Sequence, residues 1–220
     1  MSTHICMVTV DHAPNDDRIF EKEARSLKAA GFDVSVLCKA DPDGRVTFMN
    51  QKFVFNQDGA SVFEIDGIPV YPIPEDASLS GKWLHKLQLD RFSAAFIQKG
   101  IALNATVYHA HEPISLYLAQ KMAAKNGAKV VFDSHESWIG GTQKEQLIKK
   151  YCLKDLQYLI TANTITEGHH LCLNSNLKTE VIYNFPDPQV FKRPYMASKF
   201  DQIKISHDGH LFFNRGLKKM

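Results

Sequence analysis

Two histidines, His109 and His111, stand two residues apart in the stretch TVYHAHEP, and Glu112 follows them. Side chains on a strand alternate faces with period 2, so both imidazoles share one side. A second histidine–acid pair, His135 and Glu136, closes the stretch AKVVFDSHE. If the two strands are neighbours, histidines and carboxylates converge. Three chemistries fit such a group. H-x-H supplies two metal ligands, with Asp133, His135 and Glu136 among the candidates for a third. Alternatively, a histidine acts as general base or electrostatic stabiliser. In the third reading the imidazoles cap strand ends with hydrogen bonds.

The loop DHAPNDDR contains no glycine. A dinucleotide site of the Rossmann type needs G-x-G-x-x-G for close backbone approach to pyrophosphate, so the usual dehydrogenase is excluded. The helix that begins here still offers free N–H groups to an anion, with Arg18 at hand. The alternative is that Asp16, Asp17 and Arg18 form a cap and a solvated first turn. Neither a G-x-S-x-G elbow nor a P-loop is present. His169 and His170 lie mid-helix and read as surface residues. Trp138, just beyond His135, reads as a candidate site wall.

These residues need elements to hold them. ICMVTV is a short, nearly all-apolar run of the kind buried on both faces of a parallel sheet. In RIFEKEARSLKAAG, Phe20, Ala24 and Leu27 recur at helical spacing. DVSVLCK is the next strand, which completes a βαβ unit. Further strands are expected at TVYHAH, AKVVFDSHE, QYLITAN and TEVIYNF, with helices between them. Pro113 sits at a permitted first-turn position, and Thr164 with Glu167 has capping-box spacing. Residues 41–75 break the rhythm and read as a small hairpin inserted at the sheet edge. Residues 80–103 read as one long helix, or two with a break at Gly100. The total is an α/β fold, a Rossmann-like, doubly wound, mainly parallel sheet of six or so strands with a small edge insertion. Such a sheet binds ligands beyond the carboxyl ends of its strands. That singles out the loops at 11–17, 109–113, 133–141 and 162–164.

The chain has 220 residues, enough for one large domain or two small ones. Its 26 basic and 24 acidic residues leave a net charge of +2, which is no footprint for nucleic acid. Cys6, Cys38, Cys152 and Cys172 form no C-x-x-C pair and read as reduced core residues of a cytoplasmic protein. The apolar run near the N-terminus is too short for a signal peptide or a membrane span. Trp83, Leu84, Leu87 and Phe92, interleaved with Lys82, Lys86 and Arg91, offer either a core face or a membrane-surface face.

Taken in order, these motifs resemble the retaining, family-4 nucleotide-sugar glycosyltransferases of the GT-B fold. DHAPNDDRIFEKEARSLKAAGFDVSVLCK is similar to the first βαβ of that family. VYHAHEPISLYLAQKMAAKNGAKVVFDSHESW is similar to its middle segment. LITANTITEGHHL and EVIYNFPDPQVF resemble the close of its N-terminal domain, and ISHDGHLFFNRGLKKM the opening of its C-terminal domain. The resemblance implies an acceptor-side domain over 1–185, a linker over 186–202 and the start of a donor-binding domain over 203–220. It implies His111 as the catalytic residue, hydrogen-bonding the donor sugar and steadying charge at the reacting centre. Asp17, Arg18, His109, Glu112, His135 and Glu136 are then substrate-binding candidates. Neither cofactor nor metal is required. The donor is a nucleotide-sugar, and the acceptor a glycan, a lipid-linked sugar or a small molecule. The expected setting is cytoplasmic or peripheral at the inner face of a membrane. The family's diphosphate-binding residues belong to the C-terminal domain. The resemblance therefore implies that this chain alone transfers sugar poorly, and that its terminal stub favours self-association. Two other readings remain: a binding module that meets a separate donor-binding subunit, and a metal-dependent hydrolase using His109 and His111.

Overall fold

The computed structural model of the chain describes residues 2–48, 51–54, 62–75, 91–135 and 143–185. The expected linker and C-terminal stub lie outside these residues. So do Glu136, Trp138, and residues 80–90 of the expected long helix.

Ten strands are formed among the described residues: β1 (His4–Thr9), β2 (Asp33–Ala40), β3 (Arg45–Phe48), β4 (Gln51–Val54), β5 (Phe63–Ile65), β6 (Ile68–Pro74), β7 (Val107–Ala110), β8 (Lys129–Ser134), β9 (Tyr158–Thr161) and β10 (Lys178–Val181). Eight of them make one sheet in the order β10-β9-β8-β7-β1-β2-β6-β5. All neighbours in it pair in parallel except β5, which runs antiparallel on β6. β1 and β7 lie side by side, although 97 residues separate Thr9 from the start of Val107 in the chain order β1, β2, β6, β7. Here the winding reverses, and the carboxyl ends of β1 and β7 flank the topological switch point where doubly wound sheets bind ligands.

The six strands read from the sequence are all present. The edge insertion is more elaborate than one hairpin. β3 and β4 pair as a separate antiparallel ribbon. IPVYPIP instead joins the main sheet as a seventh parallel strand, β6. Three prolines argue against a central strand, since each lacks a ladder donor. They are tolerated because each proline has a single ladder: Pro69 pairs only with β5, and Pro72 and Pro74 only with β2. From Tyr71 onward β6 has one neighbour among the described residues, β2.

Among the described residues the helices are α1, α2 (Arg91–Leu103), α3 (Pro113–Asn126), α4 (Gln143–Lys154) and α5 (Thr164–Leu171). α1 has two parts: Asp17–Ala24 winds as a π-helix and continues as the α-helix Arg25–Ala29. Asp16 caps its start by accepting from the N–H groups of Arg18 and Ile19. Two apolar layers cover the sheet. Met7, Ile19, Phe20, Val36 and Ile68 belong to one; Val8, Phe96, Tyr108, Leu118, Met122 and Phe132 belong to the other. α5 is capped by Asn163, whose side chain accepts from Thr166 N–H, and Glu167 accepts from Thr179 instead of closing a box with Thr164. Cys6, Cys38 and Cys152 are buried free thiols, but Cys172 is exposed. Among the described residues no helix is long and apolar enough to cross a membrane.

Gly100 does not break α2; it lets α2 press on α3. A Cβ built there would sit 1.7 Å from Met122 Sδ and 3.2 Å from Leu37 Cδ2. Tyr108 also donates its hydroxyl to the Gly100 carbonyl at 2.7 Å, which holds the backbone in place. Gly100→Ala gains about 1 kcal/mol of helix propensity. Overpacking of Met122 is expected to outweigh it, for a net loss of about 1–2 kcal/mol on the scale of such insertions. Urea unfolding of the variant checks this, and a more stable Gly100→Ala protein would contradict it.

Candidate active site at the switch point

The site lies where β1, β7 and β8 end. His109 is paired across β7 with Met7 of β1 and Val131 of β8, so both neighbouring strands flank it. His109 and His111 stack with ring centroids 4.7 Å apart, as expected of one strand face. Asp133 and His135 reach the same place from the end of β8. His111 Nδ1 and His135 Nδ1 each lie 3.7 Å from Asp133 Oδ2.

Arg18 enters this cluster from α1, and it does so in a way that changes its expected part. It is buried, and its Nε and Nη2 donate to the two oxygens of Asp133 at 2.6 and 2.9 Å. Its Nη1 donates to the Ile182 carbonyl at 3.1 Å. The guanidinium is thus an internal tie, with no fork left for a phosphate. Asp17 is exposed and pairs with Lys22, away from the cluster. Of the two readings of this loop, the structure takes the capped turn and adds a buried arginine.

Glu23 was not legible as a member. Its carboxylate lies 3.2 Å from Arg18 Nε, 3.7 Å from His109 Nε2 and 3.9 Å from His111 Nδ1. On an α-helix residues five apart diverge by about 140°. The π-helical turn brings them onto one face, which is how Arg18 and Glu23 both point inward.

Electrostatics separate the two buried acids. Burial alone would raise Asp133, but the neighbouring His111 and His135 and the hydrogen bonds from Arg18 hold it well below the usual carboxylate range. Burial raises Glu23, and the negative Asp133 beside it raises it further, so Glu23 keeps its proton. Burial and then His111 push His109 down to about 3, so its ring is neutral. The four side chains Glu23, His109, His111 and Asp133 present ligand atoms within 4.8 Å of one another, a spacing a metal would accept. An arginine already supplies the positive charge there, bound to both Asp133 oxygens and close to Glu23.

Glu112, a substrate-binding candidate from the sequence, holds the loop after β1. It is fully buried at the start of α3. Ser115 Oγ accepts from the N–H groups of His111 and Glu112. The Glu112 carboxylate turns instead to the loop after β1. There it accepts from Thr9 Oγ1 and from the N–H groups of Val10, Asp11 and His12. It also meets His12 Nδ1 at 2.6 Å. Burial would raise this acid; against it, His12 together with Thr9 and His111 brings it down to about 2.

Access is uneven. His111 is fully buried, and neither of its ring nitrogens has a hydrogen-bond partner among the described residues. His109 is 7% exposed, His135 10% and His12 22%. The imidazoles nearest to solvent are therefore His12, which sequence reasoning passed over, and His135. The signal for His12 was its position in the loop at the end of β1. His170, expected at the surface, is buried on α5 and hydrogen-bonds Ser134 at 2.7 Å, whereas His169 is exposed.

A family model described as "Glycosyl transferase 4-like domain" matches residues 18–164. No curated protein matches the chain by sequence. Among solved structures, sucrose-phosphate synthase from Thermosynechococcus elongatus aligns over 82% of this chain and 48% of its own, with TM-score 0.58 and 14% identity. HepE of Anabaena in complex with UDP aligns over 88% and 47%, with TM-score 0.57 and 14% identity. An E. coli structure described as trehalose-6-phosphate bound with UDP-2-fluoro glucose aligns over 86% and 50%, with TM-score 0.57 and 13% identity. The chain spans about half the length of these proteins.

Proposed function

Because the chain belongs to the glycosyl transferase 4-like family, we propose that its first domain is the acceptor-side lobe of an enzyme that moves a sugar from a nucleotide-sugar to a hydroxyl-bearing acceptor. The observation that carries this reading is the convergence of imidazoles and carboxylates from β1, β7 and β8 at the switch point of a glycosyltransferase fold. A UDP-type donor is supported by the UDP and UDP-2-fluoro glucose bound by two structural neighbours. Their length, about twice what this chain covers, supports a second lobe as the source of the diphosphate-binding groups. Retention of anomeric configuration is the stereochemistry that the family resemblance implies. The reading requires no metal, and the support is chemical: the Arg18 guanidinium fills the charge role among the buried acids. The metal-dependent hydrolase has no such support.

In this reading His111 provides electrostatic stabilisation from one layer below the surface, in a dry site where a fixed dipole is worth more than in water. Joined to a donor-binding lobe of the family, the chain is expected to release UDP from UDP-glucose. His111→Ala is expected to lower that turnover about 100-fold, and His169→Ala, on the exposed face of α5, to leave it unchanged. Equal turnover by the two folded variants would remove His111 from this role.

A further inference from the structure

Glu23, His109, His111 and Asp133 turn one ligand atom each towards a common centre, all within 4.8 Å of one another. His109 Nε2 and His111 Nδ1 lie 3.7 and 3.9 Å from Glu23 Oε2, and His111 Nδ1 lies 3.7 Å from Asp133 Oδ2. A tetrahedral zinc site with bonds of about 2.0–2.2 Å sets its ligand atoms about 3.3–3.6 Å apart, so these three separations are within about half an ångström of it. Both Glu23 oxygens, His109 Nε2 and both His111 nitrogens are buried and have no hydrogen-bond partner among the described residues. Buried polar atoms are nearly always paired, so such a group calls for a ligand that takes lone pairs. Asp133 differs because Arg18 donates to both of its oxygens. A carboxylate has about four lone-pair positions, which leaves room for a metal. Carboxylates that ligate metals are commonly held by such hydrogen bonds. Glu23 and His109 keep 13% and 7% exposure, which places the entry for an ion on their side.

We propose that Glu23, His109, His111 and Asp133 form a binding site for a zinc ion, and that the ion inhibits sugar transfer when it binds; the inhibition rests on the transfer reading above, whereas the site does not. Two imidazole nitrogens and two carboxylate oxygens at this spacing suit four-coordinate Zn²⁺. Mg²⁺ prefers six oxygen ligands and keeps several waters, which this buried group does not accommodate. Arg18 orients Asp133 from behind through its two hydrogen bonds. The proton that Glu23 carries in the metal-free protein leaves as zinc binds. His111 is the residue assigned above to electrostatic stabilisation at the reacting centre. With its Nδ1 on zinc, the ring is committed to the ion and no longer serves the sugar. The transfer itself requires no metal, so zinc acts only against it.

The site is tested on the chain itself, without substrate. After incubation with excess Zn²⁺ and passage through metal-free buffer, elemental analysis is expected to find one zinc per chain, and excess Mg²⁺ should not displace it. Co²⁺ in its place should give the intense visible absorption of a four-coordinate ion. Glu23→Gln and His109→Ala should remain folded by circular dichroism and bind zinc at least about 100-fold more weakly, the upper end of what losing even an outer partner costs. His169→Ala and Cys172→Ala, which change exposed side chains, should retain the metal. A wild-type chain that keeps no zinc, or folded Glu23→Gln and His109→Ala variants that bind it as tightly as wild type, overturns the site. Inhibition is then followed as UDP release from UDP-glucose in the chain joined to a family donor lobe. Turnover is expected to fall about 100-fold as the site fills, the loss expected of His111→Ala, and to return on chelation. Full turnover by the zinc-loaded protein overturns the inhibition alone. No release of UDP by the metal-free protein overturns the transfer reading and the inhibition built on it, while zinc retention still decides the site.

Discussion

Arg18→Leu is expected to lower the free energy of unfolding by about 3–5 kcal/mol, the scale for breaking one side of a buried ion pair. The loss has two parts. Asp133 would remain buried and charged with both of its best donors gone. The Ile182 carbonyl would lose its donor as well. Arg18→Lys should recover little, because one ammonium cannot serve two carboxylate oxygens and a carbonyl in this planar arrangement. The double variant Arg18→Leu/Asp133→Leu provides the internal control. With both charges removed no buried charge is left unpaired and only the Ile182 carbonyl still lacks its donor; replacement of a buried pair by apolar groups is often close to neutral. It should therefore be more stable than the single variant. Urea unfolding at constant m measures all three. A single variant within about 1 kcal/mol of wild type would mean that Asp133 finds other donors, and the tie across α1, β8 and β10 would lose its importance.

Much of this architecture was legible for simple reasons. Apolar runs such as ICMVTV and KVVFDS are too short for helices and too continuous for half-exposed strands, so they read as buried parallel strands. The positions of His109, His111 and His135 at strand exits follow from the period of 2 and the ends of those runs. What escaped notice depended on rarer geometry. Glu23 was hidden because sequence periodicity assumes 3.6 residues per turn, whereas Asp17–Ala24 is π-helical. β6 was hidden by Pro69, Pro72 and Pro74, whose missing donors matter only where a second ladder exists. Arg18 read either as an anion ligand or as part of a solvated first turn, because an arginine after an acidic loop is usually solvated; the partner that buries it, Asp133, is 115 residues away. Glu112 and His12 are likewise 100 residues apart, and only the adjacency of β1 and β7 brings them together.

Glu23→Gln is expected to act in the opposite sense to Arg18→Leu and to stabilise the protein at neutral pH. Glu23 is raised from the ordinary carboxylate value to about 10, first by burial and then by Asp133. In the unfolded chain it ionises near its usual value, so folding at pH 7 requires it to take up a proton. A raised acid contributes stability in full below its unfolded value, and that contribution is lost as pH climbs towards the folded value. Glutamine has the shape of the protonated acid and never titrates; its amide can donate to Asp133 while its oxygen accepts near Arg18. Buried neutral histidines oppose this trend. His109 and His170 are both lowered to about 3 by burial, so their contribution is present above the ordinary histidine value and is lost as pH falls below it. Lys149, lowered to about 8 by burial, loses its contribution as pH falls from its ordinary value towards 8 and so offsets Glu23 only in the alkaline range. The wild-type protein should therefore be most stable near pH 6–7 and decline from there to pH 8. Glu23→Gln should abolish that decline and leave the acid limb, set by the histidines, in place. Unfolding midpoints at half-unit intervals from pH 5 to pH 8.5 decide the matter. An unchanged decline in the glutamine variant would mean that Glu23 is ionised in the folded protein, and that the cluster then holds two negative charges against one arginine.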